Sequence, residues 1–171
     1  MKTRYSILIL ILLFVFPASY AQKSGKKSKD ERKLEQQNLT EELVNSKIFL
    51  FEGNTAFSEG GKPITITSGP NTVSFSPELV KSMLPFFGTA RTASAGFGGQ
   101  SGYTFEGKPE EYVIESSKKG YKLKAVVREG NESYTLNMSI GSDGTANLRV
   151  FSINRSSMRY NGVIRKPEET K

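Results

Sequence analysis

Few side chains in this 171-residue chain could do chemistry, and their types restrict it sharply. Cysteine and histidine are both absent. That removes thiolate chemistry, the usual general base, the usual transition-metal ligand and the ordinary pH switch. Aspartate occurs only as Asp30 and Asp143. Calcium wants several carboxylates gathered around a glycine turn, and Asp143 stands alone. Ser116-Ser117-Lys118-Lys119 has the Ser-x-x-Lys spacing of some acyl-transfer enzymes. That chemistry needs the serine on a helix beside a desolvated lysine, whereas these residues read as a hairpin turn. The pairs Glu41-Glu42 and Glu110-Glu111 suggest acid/base work, yet neighbours on a strand point to opposite faces and do not converge. No catalytic, metal-ligating or cofactor-binding residue is assigned.

The densest local signal is Met83-Leu84-Pro85-Phe86-Phe87-Gly88-Thr89-Ala90, followed by the glycine-rich run Ala93–Gly102. Leu84, Phe86 and Phe87 are each worth about 1.5–3 kcal/mol if fully buried. Pro85 sets a bend, and Gly88 permits a positive φ or a close backbone approach. The segment reads as a core plug at a strand corner; the functional alternative is the mouth of an apolar pocket or a docking patch. A phosphate cradle would need Gly-Lys-Ser/Thr opening a helix, but Gly102 leads into Tyr103-Thr104-Phe105. The run is expected to be a loop between strands with Phe97 near its tip, and Arg91 could hold an anionic group. Candidate ligand or partner contacts are therefore Phe86, Phe87, Arg91, Phe97, Gln100 and Tyr103.

The elements that must position these residues begin after a leader. Lys2 and Arg4 precede the apolar run Ile7–Phe16, and Ser19-Tyr20-Ala21 supplies small residues at a cleavage site. This is the pattern of a secretory signal peptide over 1–21, with a run well short of the roughly 20 residues a membrane span needs. No cysteine follows, so the expected mature chain is soluble, in the periplasm or outside the cell, and not lipid-anchored. Residues 22–33 are polar and basic, a mobile linker or a cationic arm making weak contact with a membrane surface or glycan. The formal net charge is +7, but residues 34–171 carry only about +1. A nucleic-acid surface is not implied.

Leu34, Leu39, Leu43 and Val44 share a helical face, which predicts one amphipathic helix over about 30–46. The period then changes to two. Ile48–Phe51 reads as a strand, and Pro63–Thr67 with Thr72–Ser76 reads as a hairpin. Ser76-Pro77-Glu78-Leu79 looks like a short helical turn capped by serine. Later runs alternate with inward Tyr121, Leu123, Ala125 and Val127; Tyr134, Leu136, Met138 and Ile140; Ala146, Leu148 and Val150; and Met158, Tyr160 and Ile164. Between the second and third, Asp143-Gly144 carries a tight-hairpin signal. Hydrophobic residues at 36% and aromatics at 11% suffice for a core. The fold class is mainly β: an antiparallel meander of nine or ten strands, as a sandwich or partly closed barrel, with one N-terminal helix. The single domain covers 34–166, and 167–171 is tail.

Leu84-Pro85-Phe86-Phe87-Gly88 with Ala90, the early Phe49–Ala56 strand, Gly144-Thr145-Ala146-Asn147-Leu148-Arg149-Val150 and Tyr160-Asn161-Gly162 together resemble one family. It is the domain of unknown function 4251, secreted proteins of the Bacteroidetes, and the resemblance spans about 45–166. Many relatives carry tyrosine where Phe86 stands, and the loss of that hydroxyl implies a packing role for the position here. The resemblance implies export and one domain, and it brings no activity, cofactor or partner. The chain reads as an exported binding or interaction module without catalysis, its partner a protein, a glycan or an apolar small molecule. Two alternatives stay open: a barrel carrying a small apolar ligand, and a hydrolase working without histidine or cysteine.

Overall fold

The computed structural model describes residues 28–67, 69, 71–90 and 102–167. The leader, most of the basic stretch and the glycine-rich run from Arg91 to Ser101 lie outside the described residues. Chain contacts divide at Arg32 into a short N-terminal unit and the unit from Lys33 onward.

Helix α1 runs Lys29–Ser46. It starts with a reciprocal cap: Glu31 N–H donates to Ser28 Oγ at 3.1 Å, and Ser28 N–H donates to the Glu31 carboxylate at 2.7 Å. The basic residues Lys29, Arg32 and Lys33 lie within its first turns. Only Thr40, Leu43 and Val44 are buried, with Leu39 packed beside them, and Leu34 is 59% exposed. The apolar stripe works only in the last turns.

Ten strands follow: β1 (Phe49–Ser58), β2 (Ile64–Thr65), β3 (Thr72–Phe75), β4 (Val80–Pro85), β5 (Gly102–Gly107), β6 (Pro109–Ser117), β7 (Gly120–Glu129), β8 (Glu132–Gly141), β9 (Thr145–Ser152) and β10 (Met158–Arg165). They form one antiparallel sheet in the order β5-β4-β3-β1-β10-β9-β8-β7-β6, with β2 beside β1. The sheet curls into a nearly closed barrel. Its two end strands are consecutive in sequence, and β5 comes against β7 without a ladder. Nearby, Phe105 of β5 stacks on Tyr134 of β8 at 4.0 Å between ring centres.

Alternation builds the interior. On β9, Ala146, Leu148 and Val150 face in while Thr145, Asn147, Arg149 and Phe151 face out. The predicted inward sets of β8, β9 and β10 are all buried, and so are Leu123, Ala125 and Val127 of β7, whereas Tyr121 is half-buried. Fully buried Phe49, Phe51, Phe75, Leu84, Tyr103 and Tyr160 fill the barrel, each large side chain stabilising by about 1.5–3 kcal/mol. The turn signal is read correctly too: Gly144 sits at φ 81° between β8 and β9, tight against Gln36 and Thr40 of α1.

Two local expectations are overturned. The hairpin of 63–67 with 72–76 does not form; β2 and β3 each pair with β1 instead. β10 takes one edge of the long strand β1, and the other edge offers both short strands more ladder than they offer each other. Nor is 76–79 a helical turn. Ser76 N–H bonds Leu79 C=O at 3.0 Å and closes a hairpin between β3 and β4. Ser76 Oγ accepts from Leu79 N–H, a bond the cap pattern mimicked. Among the described residues no helix is long and apolar enough to cross a membrane.

Candidate functional site

The Leu84–Gly88 segment continues the alternation of β4 past its end. Val80, Ser82 and Leu84 point inward, Phe86 is half-buried, and Phe87 is 42% exposed. The expectation of two core phenylalanines is therefore half right, because period two puts adjacent residues on opposite faces. Phe86 meets Tyr103 edge-on at 5.2 Å. Over both rings lies Arg155, 93% buried, its guanidinium carbon 5.4 Å from the Phe86 centre and 5.9 Å from that of Tyr103.

This arginine is clasped from every side. Its Nη1 donates to Gly102 C=O, while its Nε has no hydrogen-bond partner among the described residues. Ser156 N–H donates to Thr89 C=O, and Thr89 N–H donates to Ser156 Oγ, each at 3.0 Å. Tyr103 OH donates to Ser156 C=O at 2.6 Å, and Tyr160 OH to Pro85 C=O at 2.7 Å. A Cβ on Gly88 would collide with Ser156 Oγ and stand 2.8 Å from the Phe86 ring. The motif thus binds the loop after β9 to the end of β4.

Burial pushes the phenol of Tyr103 far up, with Arg155 pulling partly the other way, and raises that of Tyr160 still further. Tyr134 is pushed up to about 12 by burial, reinforced by Glu132. Near neutral pH all three are hydrogen-bond donors, and none is a base. Among the described residues no three acidic, histidine or cysteine side chains gather to hold a metal ion.

The outward face of β6–β10 has a different character. Cross-strand register aligns its side chains in rows: Lys122, Ser139, Asn147 and Asn161 in one, Lys124, Asn137, Arg149 and Arg159 in the next. An open cavity of about 1060 Å³ covers the first row and the Lys118-Lys119 turn. A second, of about 550 Å³, covers the next row and shares Lys122, Ser139 and Asn147 with the first. One continuous groove results. Arg149 and Arg159 are directly opposite on β9 and β10, and neither makes an ion pair among the described residues. Each lies over an outward phenylalanine instead: Arg159 over Phe57 at 4.4 Å, Arg149 over Phe151 at 5.7 Å. Like charges directly opposite on a sheet are unfavourable unless a third group lies between them.

Of the sequence-derived contacts, Phe86 and Tyr103 come together around Arg155, and Phe87 projects to solvent beside them. Arg91, Phe97 and Gln100 lie outside the described residues. Arg155 joins Phe86 and Tyr103 without any signal in its own neighbourhood of the sequence, since the residues that bury it are far away in the chain. Arg149 and Arg159 are recognisable in the sequence as outward, but their opposition depends on register.

The family model described as "Domain of unknown function (DUF4251)" matches residues 31–164. The solved structure described as "Crystal structure of a DUF4251 family protein from Bacteroides eggerthii DSM 20697" is similar in fold, with a TM-score of 0.61. The alignment covers 77% of this chain and 87% of that one at 17% identity. No curated protein matches the chain.

Proposed function

Because the chain belongs to the DUF4251 family, whose description assigns no activity, we propose that it is an exported, non-catalytic module that binds an anionic partner on the outer face of β6–β10. One observation carries this reading: the Arg149–Arg159 pair faces solvent without a counter-ion among the described residues and lines the smaller cavity of the groove. Lysines, two glutamates, amides and hydroxyls line the rest of it. The apolar-carrier alternative is less supported, since fully buried aromatic side chains occupy the barrel interior. Phe86 and Tyr103 are engaged in holding Arg155, which favours the outer face for contact with a partner. Export rests on the leader pattern of residues 1–21.

The test is calorimetric titration of soluble polyanions of several classes into the wild-type protein and the Arg149→Gln/Arg159→Gln variant. At least one polyanion should bind, and the double substitution should weaken it by about tenfold or more, as loss of charge-assisted contacts implies. Binding of none, or binding indifferent to both arginines, rejects the reading. Turnover of a bound polymer would reject its non-catalytic part.

A further inference from the structure

Resting on that reading, we propose that the groove binds a linear, hydroxyl-rich polymer bearing spaced carboxylates, an acidic polysaccharide. The chemistry of the lining separates this ligand from other polyanions. Two arginines form the charged centre, and planar guanidinium groups match carboxylate geometry with paired N–H donors. Around them stand Lys118, Lys119, Lys122 and Lys124, and between these charges lie the amides and hydroxyl of Asn137, Ser139, Asn147 and Asn161. Each amide offers both donor and acceptor, which suits a chain of hydroxyl groups that also donate and accept. Phosphate oxygens only accept, so half of that capacity would go unused.

Charge along the groove is mixed. Glu111 and Glu115 line the same cavity as the arginines, and Glu111 already pairs with Lys124 at 2.7 Å. A densely charged backbone such as duplex DNA, with one charge per about 1.7 Å of axis, would meet those carboxylates, whereas spaced charges can avoid them. The depression spans several strands, which suits an extended chain. The aromatic end contributes as well. Phe57 and Phe151 border a further depression shared with Arg149 and Arg159. Each guanidinium rests on a ring and is held there before any ligand arrives, which lowers the ordering cost of binding.

The experiment titrates the full chain, at low and physiological salt, with polygalacturonate, its fully methyl-esterified form, poly-L-glutamate, duplex DNA and phosphatidylglycerol vesicles. Polygalacturonate should bind saturably, weaken as salt rises, and lose about tenfold or more in the Arg149→Gln/Arg159→Gln variant. Asn147→Ala, which leaves the charge untouched, should weaken polygalacturonate and leave any poly-L-glutamate binding unchanged. Both variants alter exposed side chains, and unchanged thermal unfolding confirms that they fold. Equal or tighter arginine-dependent binding of poly-L-glutamate, DNA or vesicles overturns the polysaccharide assignment while the anion-binding face stands. Equal binding of the esterified polymer overturns the role of carboxylate. No binding by any of the five overturns both readings.

Discussion

The guanidinium carbon of Arg155 stands 5.4 Å above the centre of the Phe86 ring, inside a clasp in which Nη1 holds the carbonyl of Gly102. Three chain segments meet at that contact: the end of β4, the start of β5 and the loop between β9 and β10. Replacing Arg155 by alanine leaves the Gly102 carbonyl unpaired and Phe86 uncovered. A hydrogen bond to a charged donor contributes about 1.5–3 kcal/mol, so unfolding in urea should show a loss of at least that size. Arg155→Met should lose less, because the apolar chain keeps the packing and removes the buried Nε that lacks a partner. A wild-type midpoint in the alanine variant would show that the clasp contributes nothing.

Leu84 and Phe87 belong to one motif but face opposite ways. Leu84→Ala should cost about 2–5 kcal/mol, the range for a buried leucine. Phe87→Ser should shift stability by only about 0.5 kcal/mol in either direction, as for other surface changes. Urea midpoints measured side by side decide it. Similar losses for the two would mean that Phe87 is packed.

Much of the barrel is legible because its strands alternate within single runs. Tyr134, Leu136, Met138 and Ile140 announce one inner face through spacing alone, and Asp143-Gly144 announces the turn that follows. What fails depends on partners distant in sequence. Ile64 and Thr65 look like half of a hairpin, but β1 was the better ladder, and no local pattern reveals a competitor. Arg155 fails for the same reason. Its burial is set by Phe86, Gly102 and Tyr103, all more than fifty residues away, so nothing beside it in sequence marks it as different from Arg149 or Arg159. Those two look alike in sequence and stand in opposition only through the β9–β10 register.

Gly88 has no side chain because Ser156 and Phe86 occupy the space one would need. Gly88→Ala should destabilise by about 1–3 kcal/mol, the usual effect of overpacking. Ser156→Ala alone removes an acceptor from Thr89 N–H and also costs stability. In the double variant the collision with Oγ is gone, so the combined loss should fall short of the sum by about 0.5 kcal/mol or more. Strict additivity in a double-mutant cycle would show that the two positions do not touch.

Buried tyrosines give the fold an alkaline limit whose sign follows from their environment. Burial raises the phenols of Tyr103, Tyr134 and Tyr160 above their ordinary value, Tyr134 to about 12 and the other two beyond it. Below about pH 10, the unfolded value, each is neutral in both states and stability does not depend on it. Above that, the unfolded chain releases protons that the native state retains. The native state then binds more protons, so stability falls with rising pH, by up to about 1.4 kcal/mol per pH unit for each tyrosine. The fall continues until the native phenols themselves ionise. Urea midpoints taken between about pH 8 and 11.5 should be flat and then decline. The comparison is with Tyr103→Phe/Tyr134→Phe, in which the decline should be shallower. An identical slope in that variant would remove the tyrosines as its cause.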